Sequence, residues 1–363
     1  MDLRFFSIPI LTIAMNFGLH AQETKLPDPA PIEHSSIVIE EFVYELENAL
    51  TPECHASTIA VSNEVVIAAW FGGTKEKNKD VGIWVSRKEA KEWSTPIEVV
   101  NGVQEDGTRY PCWNPVLFKP KNQPLQLFYK VGPNPREWWG LYMTSIDDGA
   151  TWSDPIKLPD GILGPIKNQP IQLEDDKILS PSSTESNTEG WKIHLEVSGD
   201  SGNTWAKTET LNDAKEFGAI QPVILSYGNG KLQLLSRTKN GVISQNWSTD
   251  GGHTWSKMTK TALPNPNSGI GGTSLTDGRQ LLIYNPTKKN WGNRVPLSIG
   301  ISTDGQNWKR VLDVEPLRES TDEENEEYSY PTVIQAPDGM VHMVYTWNRK
   351  TVKYLMLDPN KLK

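Results

Sequence analysis

An eight-residue pattern, Ser-x-Asp-x-Gly-x-Thr-Trp, occurs three times in this chain, at Ser145 to Trp152, Ser198 to Trp205 and Ser248 to Trp255. A shortened copy from Ser302 to Trp308 keeps Ser, Asp, Gly and Trp, and a worn one from Ser86 to Trp93 keeps only the Ser-to-Trp spacing. The starts at 86, 145, 198, 248 and 302 lie 59, 53, 50 and 54 residues apart. That period suits a four-stranded propeller blade better than a two-helix repeat. Within the pattern, Asp can accept backbone N–H bonds and Gly tolerates positive φ, so the box reads as a turn between the two outer strands of a blade. The Trp that follows is a wedge between neighbouring sheets. A motif present in unit after unit is architecture rather than a single site.

Two apolar strands joined by a polar turn precede each box, and their number gives the blade count. The pairs begin at His55, Cys112, Gln169, Gln221, Ser268 and Tyr330. Six pairs over residues 36–363 leave about 55 residues per blade, the size of a four-stranded unit. The fold expected is therefore all-β, a single six-bladed β-propeller of four-stranded blades. The sixth pair has a third strand, Val352 to Leu357, but no box. The stretch Ser36 to Val43 is expected to supply its missing outer strand, tying the ring shut and covering an edge.

Residues 1–21 read as a signal peptide: Arg4 precedes an apolar run from Phe5 to Leu19, and Ala21 stands before Gln22. The run is too short to span a bilayer, so no membrane span is expected after its removal. Residues 22–35 form a leader, and the mature protein is expected to be periplasmic or secreted. A net charge of −9 argues against a nucleic-acid partner. Export permits a disulfide between Cys54 and Cys112, a pairing the sequence leaves open. The histidines lack metal-ligand spacing, and the acidic run Thr321 to Glu327 reads as a solvated loop, so neither metal nor cofactor is expected.

In a propeller the inner strands converge on a central channel, and polar residues at one end of them share a cavity. Those ends carry His55, Asn114, Asn168, Gln169, Gln221, Asn267, Ser268 and Tyr330, with Lys130, Arg237, Asp80 and Arg294 on the following strands and loops. With the repeated box, this set resembles the sialidase (neuraminidase) superfamily over essentially all of residues 36–363. The resemblance implies that Arg237 and Arg294 bind a sugar carboxylate, that Asp80 is the acid/base and that Tyr330 is the nucleophile. Two guanidinium forks can hold a carboxylate bidentately, and a Tyr nucleophile is an accepted exception among glycosidases.

Two positions depart from the pattern. His55 stands where the family has an arginine, and Gln221 where it has the Glu that draws the proton from the Tyr; an amide cannot act as that base. Glu216, five residues earlier, is the substitute offered by sequence proximity. His55 opens an alternative, a polysaccharide lyase or rhamnose-releasing enzyme that abstracts a proton beside a glucuronate carboxylate. A non-catalytic glycan-binding propeller is a third reading, motivated by Gln221. All three take a glycan, and the two enzymatic ones act beside a carboxylate. Trp138 is read either as a sugar-stacking platform or as inter-blade packing.

Overall fold

Antiparallel pairing organises the described residues, 34–317 and 326–363 of the computed structural model, into six sheets, five of four strands and one of five. The signal peptide and leader expected over residues 1–35 lie outside the described residues except at the leader's end, His34 and Ser35. Blade one is Glu53–Ser62, Val65–Gly73 and Gly82–Glu89, with Glu92–Trp93 and Ile97–Val100 both pairing the third strand. Blade two runs Cys112–Phe118, Leu125–Val131, Trp139–Ser145, Ile156–Lys157, and blade three Ile171–Gln172, Ile178–Ser186, Gly190–Ser198, Ala206–Lys207. Blades four and five are Ala219–Ser226 to Thr259–Pro264 and Gly271–Ser274 to Lys309–Glu315. Blade six is Tyr328–Gln335, Val341–Trp347 and Thr351–Leu357, completed by Ile37–Phe42. The N-terminal strand thus pairs with the C-terminal one, Ile37 opposite Leu357 and Phe42 opposite Lys353, and closes the ring as expected.

The boxes are turns between third and fourth strands. In the third copy the Asp250 carboxylate accepts from Thr254 N (2.9 Å), Thr254 Oγ1 (2.6 Å) and Ser248 Oγ (2.8 Å), and the copies at Asp147 and Asp200 repeat this bonding. Each following Trp packs on the preceding blade. Trp152 lies in the core built around Ile67 of blade one, Trp205 against Phe128 of blade two, and Trp255 in the core around Leu179 of blade three. Cys54 and Cys112 are both free and buried, each in a different apolar cluster.

The inner strands are not regular. In blades one, two, four and six their register with the second strand slips by one residue, between His55 and Thr58, Trp113 and Val116, Ile220 and Val223, and Ser329 and Thr332. At each slip one residue takes a left-handed backbone: Ala56, Asn114, Gln221 and Tyr330, with φ between 38° and 56°. Such a bulge bends the strand and re-aims its side chains. In three of the four the next residue is proline, which has no N–H to give to a ladder and is tolerated in strands at bulges. All the bulges lie near the starts of inner strands. The antiparallel order therefore puts them on the face that carries the second-to-third-strand loops, opposite the boxes.

The box carboxylates make a prediction about acid stability. Hydrogen bonds from Thr151 and Ser145 hold Asp147 down to about 2, and equivalent bonds lower Asp200 and Asp250. An unfolded Asp titrates near ~4, so these groups contribute stability that is complete above about pH 4 and lost as the pH falls towards 2. The melting temperature should drop over that window, and the combined Asp147→Asn, Asp200→Asn, Asp250→Asn protein should show a shallower drop. An unchanged slope would contradict the assignment.

Candidate active site

The bulges bring Tyr330, Gln221 and His55 together beside Arg237, which stands opposite Ile220 at the end of the second strand of blade four. Arg237 is 2% exposed, and its Nη1 donates to Tyr330 Oη at 2.9 Å and to Gln221 Oε1 at 3.0 Å. Its Nε donates to Asn267 Oδ1 at 2.9 Å, and Gln221 Nε2 donates to Tyr330 Oη at 3.2 Å. The phenol oxygen thus receives two donors. His55 packs on the other side of Tyr330 with ring centroids 4.2 Å apart, its Nδ1 buried without a hydrogen-bond partner. Burial, and then the charges of Arg349, Arg294, Arg237 and Lys167, hold its imidazole well below the ordinary histidine range.

Arg294 lies 5.8 Å from the centre of the Tyr330 ring and pairs through Nη1 with Glu327 Oε1 at 2.7 Å. Glu327 also takes Arg349 Nε at 3.0 Å and the Ser329 hydroxyl at 2.7 Å. Burial alone would raise the Glu327 carboxyl, but Arg294 and Arg349 outweigh it and keep the group ionised below its ordinary range. Arg349 reaches on to Glu76 at 2.7 Å. The acidic run is therefore not solvated to its end: Glu327 turns inward because two guanidinium groups and a hydroxyl satisfy it. Sequence reasoning missed Arg349, which comes from the last hairpin of blade six. The Asn-Arg-Lys turn at 348–350, two residues of it left-handed, was the available signal.

Other expected residues fall elsewhere. Glu216 is exposed and pairs with Lys257 at 2.8 Å on the outer surface, because residues 213–217 form a turn that points its side chain away from the channel. It cannot serve Tyr330. Asp80 stays in its loop, where its carboxylate accepts from the backbone and hydroxyl of Thr74. Burial opposes ionisation there, but the Thr74 bonds prevail and lower its proton affinity. From that loop it is Glu76, not Asp80, that bonds into the cluster. Asn114 is buried at the blade-two bulge. Trp138 is half-buried with its ring roughly perpendicular to that of Trp113 of the same blade, centroids 6.0 Å apart. Lys130 is fully buried and donates to Pro165 O between blades two and three, outside the cluster.

Comparison with known proteins agrees with the six-bladed fold. The family model described as BNR repeat-like domain matches residues 64–343. The chain belongs to the BNR repeat-like family. A curated relative, the anhydrosialidase of Macrobdella decora, is 26% identical over 235 residues, which is 56% of this chain and 29% of that protein. Among solved structures, the Hadza microbial sialidase Hz136 superposes with a TM-score of 0.74 at 16% identity, over 90% of this chain and 69% of that one. The intramolecular trans-sialidase from Ruminococcus gnavus gives 0.67 at 16% identity, over 91% and 99%. These neighbours share the six-bladed fold. The family thus supplies the propeller, while the identity of this site rests on Arg237, Arg294, Arg349, Tyr330, His55 and Gln221.

Removing the carboxylate that Arg294 and Arg349 share should be costly. Glu327→Gln leaves both guanidinium groups without their common partner, and urea unfolding should show a loss of about 3 kcal/mol. Glu216→Gln, which breaks an exposed pair, should cost less than about 1 kcal/mol. Equal losses would contradict the placement of Glu327.

Proposed function

We propose that this chain is an exported, sialidase-like enzyme that releases a terminal acidic sugar from a glycan, holding the sugar carboxylate with Arg237, Arg294 and Arg349. The observation that carries the reading is the buried Arg237 guanidinium bonded to Tyr330 Oη with Arg294 beside the same ring. Two guanidinium groups against one phenol, with a third sharing Glu327 with Arg294, suit an anionic sugar whose reacting carbon lies next to its carboxylate. The relatives' names, anhydrosialidase and sialidase, support the substrate class.

In the hydrolytic reading Tyr330 attacks the anomeric carbon. Its O–H proton passes to the neighbouring imidazole of His55, the phenol oxygen bonds to carbon, and the glycosidic C–O electrons leave with the departing sugar, which takes a proton from water. A second water then attacks the same carbon, the bond to the Tyr330 oxygen breaks with its electrons returning to that oxygen, and the proton held on His55 goes back to it, releasing the free acidic sugar. Arg237 stabilises the negative charge on Oη during this step, a task open to a guanidinium and closed to Gln221 as a base.

A second reading, elimination beside a uronate carboxylate, is favoured by the unpartnered Nδ1 of His55. The four cations that depress its basicity would be offset by an arriving carboxylate, so the imidazole gains proton affinity when substrate binds. His55 then takes the ring proton next to the carboxylate, the C–H electrons form a C=C bond, and the C–O bond to the departing sugar breaks with its electrons on that oxygen, which takes a proton from water.

Purified protein assayed on sialosides and on glucuronate-containing oligosaccharides, with ultraviolet absorbance recorded, separates these readings. Free acidic sugar without a chromophore is the expected result, with Tyr330→Phe and Arg237→Ala each lowering kcat/KM by at least about 100-fold. A conjugated chromophore that survives in Tyr330→Phe and vanishes in His55→Ala would establish elimination. Glycan binding with no product from either class would overturn the enzymatic reading.

A further inference from the structure

The hydrolytic step leaves an oxygen that needs a proton, and Asp80 is not loaded with one. Its carboxylate accepts from the backbone N–H of Thr74 at 2.7 Å and from the Thr74 hydroxyl, bonds that keep it ionised. A second carboxyl group faces the cluster from blade three. Along the strand Ile178–Ser186 alternate side chains take opposite sides, and their bonds show which side is which. Ser182 Oγ donates to Glu196 Oε1 of its own blade at 3.2 Å, whereas Ser183 Oγ accepts from Gln221 N of blade four at 3.2 Å. The pairing with Gly190–Ser198 runs without a slip. Glu185 therefore keeps the side of Ser183, two residues and about 7 Å nearer the face that carries the site.

The hairpin around Glu185 is fixed. Glu185 stands opposite Trp191 and bonds its side chain, and Asn212 Nδ2 donates to Trp191 O at 2.9 Å. The Trp191 ring is buried and its centre lies 5.6 Å from the Arg237 guanidinium, which ties this edge of blade three to the phenol that Arg237 bonds. The Lys239 ammonium lies 3.9 Å from the centre of the same ring. Arg237, Lys239 and Arg136 act on Glu185 through their charge and not through hydrogen bonds. Burial outweighs all three, so the half-buried carboxyl titrates above its ordinary range. A carboxyl group that holds its proton is what a departing sugar oxygen requires.

We propose that Glu185 is the general acid, the group through which the departing sugar receives its proton. This assignment rests on the hydrolytic reading and supplies the residue that reading lacks. As the glycosidic C–O bond breaks, the Glu185 O–H proton passes to the leaving oxygen, which keeps the C–O electrons, and a carboxylate remains. The water that later attacks the sugar carbon gives a proton to that carboxylate. Water is thus the net source of the proton, and Glu185 is restored. A sugar alkoxide, a poor leaving group, gains most from this transfer, and a nitrophenolate gains little.

The test compares kcat/KM for an acidic oligosaccharide with kcat/KM for the nitrophenyl glycoside of the same acidic sugar. Glu185→Gln should lower the first at least about 100-fold more than the second. Turnover of the nitrophenyl glycoside reports that the variant is folded. A pH profile of the wild type needs no variant: activity on the oligosaccharide should fall as the pH rises through the Glu185 titration, above the ordinary carboxyl range. That limb should be missing for the nitrophenyl glycoside. Equal losses on the two substrates would mark a residue that only shapes the pocket and would overturn the assignment, as would no loss on either. A selective loss in Asp80→Asn, with none in Glu185→Gln, would move the acid to blade one and overturn it too. Failure of the hydrolytic reading looks different: wild-type protein that cleaves neither substrate, or that yields a conjugated chromophore, rejects that reading and the assignment with it.

Discussion

Three consecutive side chains in blade three bind the backbones of the other five blades. Lys167 Nζ donates to Ile270 O of the inner segment of blade five at 2.7 Å and to Pro331 O of blade six. Asn168 Nδ2 donates to Gln221 O and Pro222 O of blade four, and Gln169 Nε2 to Ile59 O of blade one and Leu117 O of blade two. A propeller blade contacts its neighbours mainly through apolar faces, which fix spacing but tolerate sliding. Directional bonds at the axis fix how far each inner strand is inserted, and an unsatisfied buried carbonyl makes any slip expensive. Because Asn168 and Lys167 hold the carbonyls at the bulges of blades four and six, they also set where Gln221 and Tyr330 stand.

The bulges convert that alignment into a site. A left-handed residue other than glycine costs on the order of 1 kcal/mol or more, and four inner strands accept that cost at the same level. What they gain is a set of side chains turned toward one point. Around that point the charge balance is uneven. Arg294 and Arg349 share Glu327, whereas the hydrogen-bond partners of Arg237 among the described residues are the neutral Tyr330, Gln221 and Asn267. Lys167 is fully surrounded and bonded only to oxygens of uncharged groups. Buried cations held by neutral partners are destabilising until an anion arrives, which is the electrostatic condition of an acid-binding pocket.

The propeller was legible in the sequence because its signals are local: a box of eight residues carries its own turn, and alternating runs carry their own strands. Ring closure by Ser36 to Val43 followed from the edge that blade six would otherwise expose. The site was legible where a residue sits on an inner strand, as with Tyr330, Gln221 and His55, or at the end of a second strand, as with Arg237. It was not legible where partners come from different blades. Glu216 is five residues from Gln221 and faces outward, whereas Arg349, 128 residues away, lies near enough to His55 to depress its basicity. Glu327 looked solvated because its neighbours in sequence are acidic, and only the fold supplies Arg294 and Arg349. Proline in three of the four bulged inner strands was the one sequence sign of the bulges, and it gave their position but not the direction in which they turn the side chains.

The central claim is that these arginines form one carboxylate-binding pocket against Tyr330. A crystal structure of the protein soaked with N-acetylneuraminic acid, and in parallel with glucuronic acid, tests it most directly. The account predicts the carboxylate of at least one of them within hydrogen-bond distance of Arg237 and of Arg294 or Arg349, with the sugar ring against Tyr330 and His55. A carboxylate bound on another face, or a pocket that stays empty at saturating concentration of both, would contradict it.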